Sequence, residues 1–398
     1  MKDLFVLPDY VKTALAVCEA NGHEAYLVGG CVRDLLRGVI PADYDIAVSC
    51  PPEATEAAFR GFRVIETGMK HGTVTVVIDG HNLELTTFRV DGTYRDGRHP
   101  DEVTFAGRLE DDLSRRDFTI NAMAYRPGCG VTDLFGGRDD LKKRIVRCVG
   151  DPDVRFTEDA LRILRALRFS SALDFDIDPG TAEAVLRQKD RLAAVSAERK
   201  FVELKKLFAG NRAESLLVTF RPVFELTVAP LKKLTEEQYL SAAKAAGKLR
   251  DPATALAALL CRLPEEDTEE ACRALKTDNA FLRRACLLRA HAHGTFETKG
   301  QARVFLGANG KEALAALNDL RAALTGRPDP VTRAVLDETT VYPTSLRELA
   351  VNGRDLEEIG VKGPALGRVL NALLSSAAEG EVENEREALL TAALKLQN

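Results

Sequence analysis

The run Leu27-Val28-Gly29-Gly30-Cys31-Val32-Arg33-Asp34-Leu35-Leu36, followed by Asp43-Tyr44-Asp45-Ile46-Ala47, constrains the fold more than any other stretch of this chain. It predicts a strand, a glycine turn, a short helix and a second strand. Asp43 and Asp45 stand two residues apart, a spacing that points both side chains to one face of a strand. Two carboxylates on one face can hold a divalent metal. Paired glycines leave the backbone bare, so a triphosphate can approach main-chain N–H groups, and the start of the following helix favours an anion. Taken singly, the aspartate pair also reads as a solvated strand end and the glycine pair as a plain turn. Their order and short separation bring phosphate and metal chemistry to one place.

The chain then changes character along its length. From Glu24 to about Val149 it mixes short β-branched runs with turns: Val64-Ile65, Thr73 to Ile78 and Leu83 to Phe88 read as strands, punctuated by Gly68, Gly72 and Asp79-Gly80. The Asp-Gly pair is a hairpin signal. From Glu158 onward apolar residues recur at three and four, alanine and leucine dominate, and helix is expected nearly throughout. The fold class is therefore α+β, with a mixed sheet in front and helices behind. At 398 residues two or more structural units are expected. Gly326-Arg327-Pro328-Asp329-Pro330 is a seam that interrupts helix, and Tyr342-Pro343-Thr344-Ser345 is a second, expected to end a loop and cap the next helix.

With 45% hydrophobic and 29% charged residues the composition is that of a globular protein. No apolar run approaches the roughly 18 residues of a membrane span, and no secretory leader is recognisable, so a cytoplasmic location is expected. The eight cysteines form no C-x-x-C pair and read as reduced, mostly buried thiols. A net charge of -5 does not advertise a nucleic-acid protein, but a whole-chain balance can hide a local basic surface. Lys142, Lys143, Arg144, Arg147, Arg155, Arg162, Arg165 and Arg168 concentrate positive charge after the first third of the chain. An ion-paired helix surface and an anion-binding face both remain open for them.

Two further motifs carry chemistry. Arg115-Arg116-Asp117-Phe118-Thr119-Ile120-Asn121-Ala122-Met123-Ala124 places adjacent arginines beside an aspartate and an asparagine. Guanidinium presents paired donors in a fixed fork suited to triphosphate oxygens, and Asp or Asn can order it. The segment Glu158 to Phe169 reads as one amphipathic helix, with Ala160, Leu161, Ile163, Leu164 and Leu167 on one side. Glu158, Asp159, Arg162 and Arg165 fall on the other, Arg168 at the border, and an i,i+4 pair of Glu158 with Arg162 is the simple account of that face.

Together these motifs resemble the nucleotidyltransferase superfamily and, within it, bacterial class II CCA-adding enzymes. The resemblance runs from Gly29-Gly30 through Asp43/Asp45, Lys70-His71-Gly72-Thr73, Asp91-Gly92, Arg115-Arg116-Asp117 and Glu158-Asp159-x-x-Arg162. It resumes at Leu349-Ala350-Val351-Asn352-Gly353-Arg354-Asp355 and at Gly380-Glu381-Val382-Glu383-Asn384-Glu385. It implies a curved molecule with a polymerase-beta-like catalytic head (1–148), a nucleotide-selecting neck (149–212), a helical body (213–335) and a tRNA-binding tail (336–398). It implies Mg²⁺ on Asp43 and Asp45, and nucleotide binding at Gly30, Arg33, Arg116, Asp159, Arg162, Arg165 and Arg168. Glu84 is a candidate third acidic group, and Ser196-Ala197-Glu198-Arg199 sits where the family braces the neck helix. The implied partners are tRNA, CTP and ATP, with no membrane and no obligate protein partner.

The implied reaction is attack of a tRNA 3′-hydroxyl on the α-phosphorus of CTP or ATP with loss of pyrophosphate. It needs no covalent nucleophile, so no cysteine is assigned a role, and His71 and His99 read as structural. Cytosine and adenine each show an amino donor beside a ring-nitrogen acceptor, whereas uracil and guanine show the reverse. An ionised Asp159 only accepts and Arg162 only donates, which suits C and A. The long polar loop Asp91 to Val103 favours full CCA addition or A addition over CC addition. A-adding and CC-adding enzymes, poly(A) polymerase, an antibiotic-modifying nucleotidyltransferase and a non-catalytic tRNA-binding module are the alternatives. In the tail, Lys362, Arg368 and the turn Gly360 to Gly367 read either as a phosphate contact or as a plain helix connection.

Overall fold

The computed structural model describes residues 4–396 except 66–67, 70–71, 92–102, 106 and 340. The chain divides into two compact units, Met1–Arg212 and Ala213–Asn398. The expected head and neck share the first unit, the expected body and tail the second.

The first unit opens with α1 (Asp9–Ala20), β1 (Ala25–Val28), α2 (Gly30–Leu36), β2 (Asp45–Val48) and α3 (Pro52–Ala58). Strands β3 (Arg63–Ile65), β4 (Thr73–Ile78), β5 (His81–Thr87), β6 (Arg89–Asp91) and β7 (Val103–Phe105) follow, then α4 (Leu109–Ser114), β8 (Met123–Arg126) and β9 (Gly130–Asp133). Seven of them form one mixed sheet in the order β3-β4-β5-β2-β1-β8-β9. All neighbours are antiparallel except β2 and β5, which are parallel. The expected hairpin joins β4 to β5, with Asp79 at φ 50 and Gly80 at φ 80, the positive pair that a type I′ turn requires.

Alternation divides the sheet into two faces. Leu27, Ile46, Val48, Val74, Val76, Leu83, Leu85 and Tyr125 point into the main core with Val11, Ala14 and Phe59. Val28, Ala47 and Ala124 point the other way and meet Leu109 and Leu113 of α4. By the same alternation Asp45 and Glu84 belong to this second face, where the site lies.

Beyond the sheet come α5 (Gly137–Lys143), α6 (Pro152–Glu158), α7 (Leu161–Leu173), α8 (Pro179–Arg187) and α9 (Ala197–Phe208). The single helix expected over Glu158 to Phe169 is broken. Asp159 leaves helical geometry at φ -141, ψ 103 and closes α6, and its carboxylate accepts from the Leu161 N–H at the start of α7. An aspartate that can bond a nearby backbone N–H favours a helix end over a helix interior. Nor is the charged side of α7 a water face, since Arg162 is only 8% exposed.

The second unit is helical. Every residue from Ala253 to Leu260 in the helix Pro252–Leu260 is buried, as a helix apolar all round demands. At the first seam Gly326 ends the helix Lys311–Thr325 in left-handed conformation and Asp329 caps Pro330–Leu336. At the second, Ser345 makes no side-chain cap to the short 3-10 turn that follows, and Glu348 reaches back to accept from Thr344 instead. The two tail motifs meet: Asn384 accepts from the Ala350 N–H and donates to the Glu348 carbonyl, and Arg386 pairs with Asp355. No helix among the described residues is long and apolar enough to cross a membrane. Six of the eight free cysteines are buried.

Arg303, in the helix Lys299–Asn309, holds Glu338 by two hydrogen bonds of 2.8 and 2.7 Å, lies over the Tyr342 ring and donates to the Ala378 carbonyl. Removing Arg303 leaves partly buried Glu338 with Lys299, at 3.1 Å, as its remaining cationic partner. Arg303→Met should therefore lower the unfolding free energy of the second unit by roughly 2 kcal/mol, and Arg303→Met with Glu338→Gln should recover part of that loss, both read by denaturant unfolding.

Candidate active site

The floor of the site is built by strand register. Asp45 pairs with Val28, the residue before the glycine turn, and on its other side with Glu84. Asp43 precedes β2, but the alternation already holds, for Tyr44 is buried between two exposed aspartates. Solvent reaches Asp45 although many protein atoms surround it. Burial, then the charges of Asp43 and Glu84, push its carboxyl up to about 6, with Arg116 acting in the opposite direction. Crowded carboxylates of this kind resist ionising together, and a hard divalent cation with oxygen preference relieves the conflict. The donor set thus fits a metal, although no group of three or more His, Cys, Asp and Glu arranged to hold one occurs among the described residues.

Gly29 sits at φ 75, and a Cβ there would lie 2.9 Å from Nη1 of Arg116. The backbone conformation requires glycine, and a Cβ would also displace the Arg116 guanidinium. Arg116 is held by Asp112, which also holds Arg115: its two oxygens accept from Arg115 at 2.6 Å and Arg116 at 3.0 Å. Asp112 is 1% exposed. Burial opposes its charge, but the two arginines outweigh that and hold its carboxyl below the ordinary range. Nη1 of Arg116 donates to no described residue and faces the glycine turn.

A second set of groups connects α2 to α7. Arg33 donates to Asp34 and, at 2.7 Å, to the Asn121 side-chain oxygen. Asn121 donates to Asp117, whose other oxygen accepts from Arg165 at 2.8 and 2.5 Å. Glu203 of α9 receives Arg168 at 2.9 Å and lies 3.9 Å from Arg165. Asp159 and Arg162 do not pair with each other. Asp159 accepts from Arg199 at 2.8 Å, while Arg162 donates to Glu158 at 2.6 Å and to the Arg115 carbonyl at 3.0 Å. The basic stretch is thus mostly ion-paired: Arg144 with Asp174, Arg147 with Asp140 and Asp178, Arg155 with Glu158.

Asp112, Glu203 and Phe169 are given no role by the sequence. Asp112 was legible, since it stands three and four residues before Arg115 and Arg116. Nothing in the sequence ties Glu203 to Arg168, 35 residues away. Lys70, His71, His99 and most of the loop Asp91 to Val103 lie outside the described residues. A cavity of about 710 Å³ in the second unit is lined by Lys248, Asp251, Arg284 and Asp319 and contains none of these site residues.

Residues 25–147 match the poly A polymerase head domain and residues 248–393 match tRNA nucleotidyltransferase domain 2. The CCA-adding enzyme of Geobacillus thermodenitrificans is 39% identical over 377 residues, 92% of each chain. The crystal structure of the Bacillus stearothermophilus CCA-adding enzyme in complex with CTP is 35% identical and covers 98% of both chains at a TM-score of 0.80. The Thermotoga maritima CCA-adding enzyme, 20% identical, shares the fold at a TM-score of 0.68 over 99% of this chain and 97% of its own. A mixed-sheet head followed by helices, with acidic floor and arginine wall, defines a nucleotidyltransferase. The chain belongs to the CCA-adding enzyme family.

The Asp117 carboxylate has a pH signature. Burial alone would raise its pKa, but Arg165, Asn121 and Arg162 bring it down to about 2. A depressed folded pKa gives stability that is present above the unfolded value, near 4, and lost as pH falls toward 2. Asp117→Asn should abolish roughly 2 kcal/mol of that acid-sensitive stability, so its unfolding free energy should fall less steeply than the native protein's between pH 4 and pH 2. Equal slopes would remove Asp117 from the acid response.

Proposed function

We propose that this chain builds and repairs the 3′-terminal CCA of tRNA from CTP and ATP, without a nucleic-acid template. The observation that carries the reading is the end-to-end likeness to a CCA-adding enzyme in complex with CTP, over 98% of both chains. The tRNA 3′-oxygen bonds to the α-phosphorus, the bond to the β-phosphate oxygen breaks, and pyrophosphate leaves with the electron pair.

Asp43 and Asp45 would hold Mg²⁺, whose oxygen preference suits them. Bound there, the ion would lower the pKa of the attacking hydroxyl and offset phosphoryl charge. Arg116, with Nη1 directed over Gly29, and Arg33, beside Gly30, serve the triphosphate, and the bare glycine backbone lets it come close. Asp159 and Arg162 read the base edge. A carboxylate can accept about four hydrogen bonds, so Asp159 retains acceptor capacity beside the Arg199 and Leu161 donors it already holds. Arg165 and Arg168 complete the cationic wall, braced by Asp117 and Glu203. In the second unit, Lys362, Arg368 and the glycine turn serve the tRNA backbone.

The direct test offers tRNA lacking CCA, tRNA lacking the final A and complete tRNA, each with single NTPs. Addition of two C and one A to the first, and of A alone to the second, is expected. Addition of A alone, never C, would reassign the chain as an A-adding enzyme. Asp43→Ala and Asp45→Ala should each lower addition by at least about 100-fold while filter-binding affinity for tRNA stays within about threefold. Substantial Mg²⁺-dependent addition by either variant would dismiss the assignment.

Base reading gives a sharper outcome. Asp159→Ala should lower the preference for CTP over UTP by about tenfold, the worth of one unsatisfied polar contact. Arg162→Ala should depress CTP and ATP use together. Single-turnover addition with all four NTPs measures both, and an unchanged preference ratio in a folded Asp159→Ala protein would reject the role.

A further inference from the structure

Phe169 takes part in no chemistry assigned above, yet three arginines of the site converge on it. The guanidinium carbon lies 5.4 Å from its ring centroid for Arg33, 5.4 Å for Arg165 and 3.5 Å for Arg168. The ring is 6% exposed, and its position is fixed by an edge contact with fully buried Phe118, centroids 5.6 Å apart at 78°. Arg33 comes from α2, beside the glycine turn, whereas Arg165 and Arg168 come from α7. No hydrogen bond between Arg33 and either α7 arginine occurs among the described residues. The Phe169 ring is thus shared by Arg33 of the triphosphate side and by both arginines of the neck.

Physical chemistry gives that arrangement a use. Three like charges converging on one ring repel, and each has its nearest acidic partner: Asp34 for Arg33, Asp117 for Arg165 and Glu203 for Arg168, with Glu203 also 3.9 Å from Arg165. Those partners fix the guanidinium edges one by one. An aromatic quadrupole attracts all three at once, adds no competing negative charge, and leaves outward N–H groups for phosphate. Arg168 shows the result: only its Nε donates to a described residue, so both Nη groups remain available. A leucine of similar burial would fill the space but offer no electrostatic floor.

We propose that Phe169 is a positioning residue for nucleotide binding, which orients Arg33, Arg165 and Arg168 together and so couples the triphosphate side of the site to the neck. The inference rests on the assignment of those arginines to the nucleotide. Three measurements test it on the full chain: KM and kcat for CTP and ATP, inhibition by inorganic tripolyphosphate, and thermal unfolding. In Phe169→Leu, KM for both nucleotides and Ki for tripolyphosphate should each rise about 5- to 30-fold, with kcat altered less than about threefold; Phe169→Tyr, which keeps the ring, should remain within about twofold of native. Phe169→Met, which restores volume without a ring, serves the same comparison if the leucine variant is poorly folded.

Native KM and Ki in a folded Leu or Met variant would overturn the proposal, as would equal damage in Phe169→Tyr. Arg33→Lys and Arg168→Lys separate this failure from failure of the underlying assignment. If both lysine variants keep native KM, the arginines do not bind nucleotide. If they raise KM while Phe169→Leu does not, the assignment stands and the ring has no positioning role.

Discussion

The ordered state of the site depends on one buried carboxylate. Asp117 accepts from the Phe118 N–H, from Asn121 and from Arg165, which closes its acceptor sites on three sides. An isolated charge at that depth would be costly, and pairing is what makes it tolerable. Its grip on Asn121 turns the amide oxygen toward Arg33, so the guanidinium nearest Gly30 is aimed by a residue 84 positions further along the chain. Its grip on Arg165 fixes the first turns of α7 against the sheet-bearing part of the unit. Side chains on different elements, Arg33 on α2 and Arg165 on α7, are thus referred to one anchor.

This explains why arginines of the site are already committed in the free protein. A flexible arginine gives up rotamer freedom when it meets phosphate, and that loss opposes binding. Asp112, Asp117 and Glu203 remove much of it in advance. Acidic groups beside the arginines also keep the free site close to neutral, so a modestly acidic chain can house a polyanion site without a conspicuous basic patch. Net charge therefore misleads here, whereas the local pairing pattern does not.

The floor of the site was legible because its signals are local. A glycine at positive φ, a D-x-D spacing and an Asp-Gly hairpin each express backbone geometry within a few residues. The strand Leu83 to Phe88, read from its β-branched composition, is the parallel neighbour of β2 and sets Glu84 opposite Asp45. The neck was harder. Its periodicity is genuinely helical on both sides of Asp159, so a continuous helix was the reasonable reading, and the extended backbone of Asp159 with its side-chain bond to the Leu161 N–H reveals the break. The i,i+4 pair of Glu158 and Arg162 is present as the spacing suggested. What no periodicity conveys is that this polar side is covered by protein. Glu203, Arg199 and Phe169 acquire meaning from elements packed across α7, and sequence distance hides such encounters.

The break at Asp159 and the reach of Glu203 also govern when the site comes into being. Arg33 and Glu203 belong to one network but are separated by about 170 residues, and at about 5–20 residues per second of synthesis roughly ten to thirty seconds pass between them. Early in that interval β1 and β2 can pair and bring Asp45 beside the glycine turn. The cationic wall cannot be ordered until α7 and α9 have been made. A ribosome-bound or prematurely ended chain therefore carries the acidic floor without its aligned counter-surface, and on the proposed assignment competence for nucleotide waits for the finished first unit.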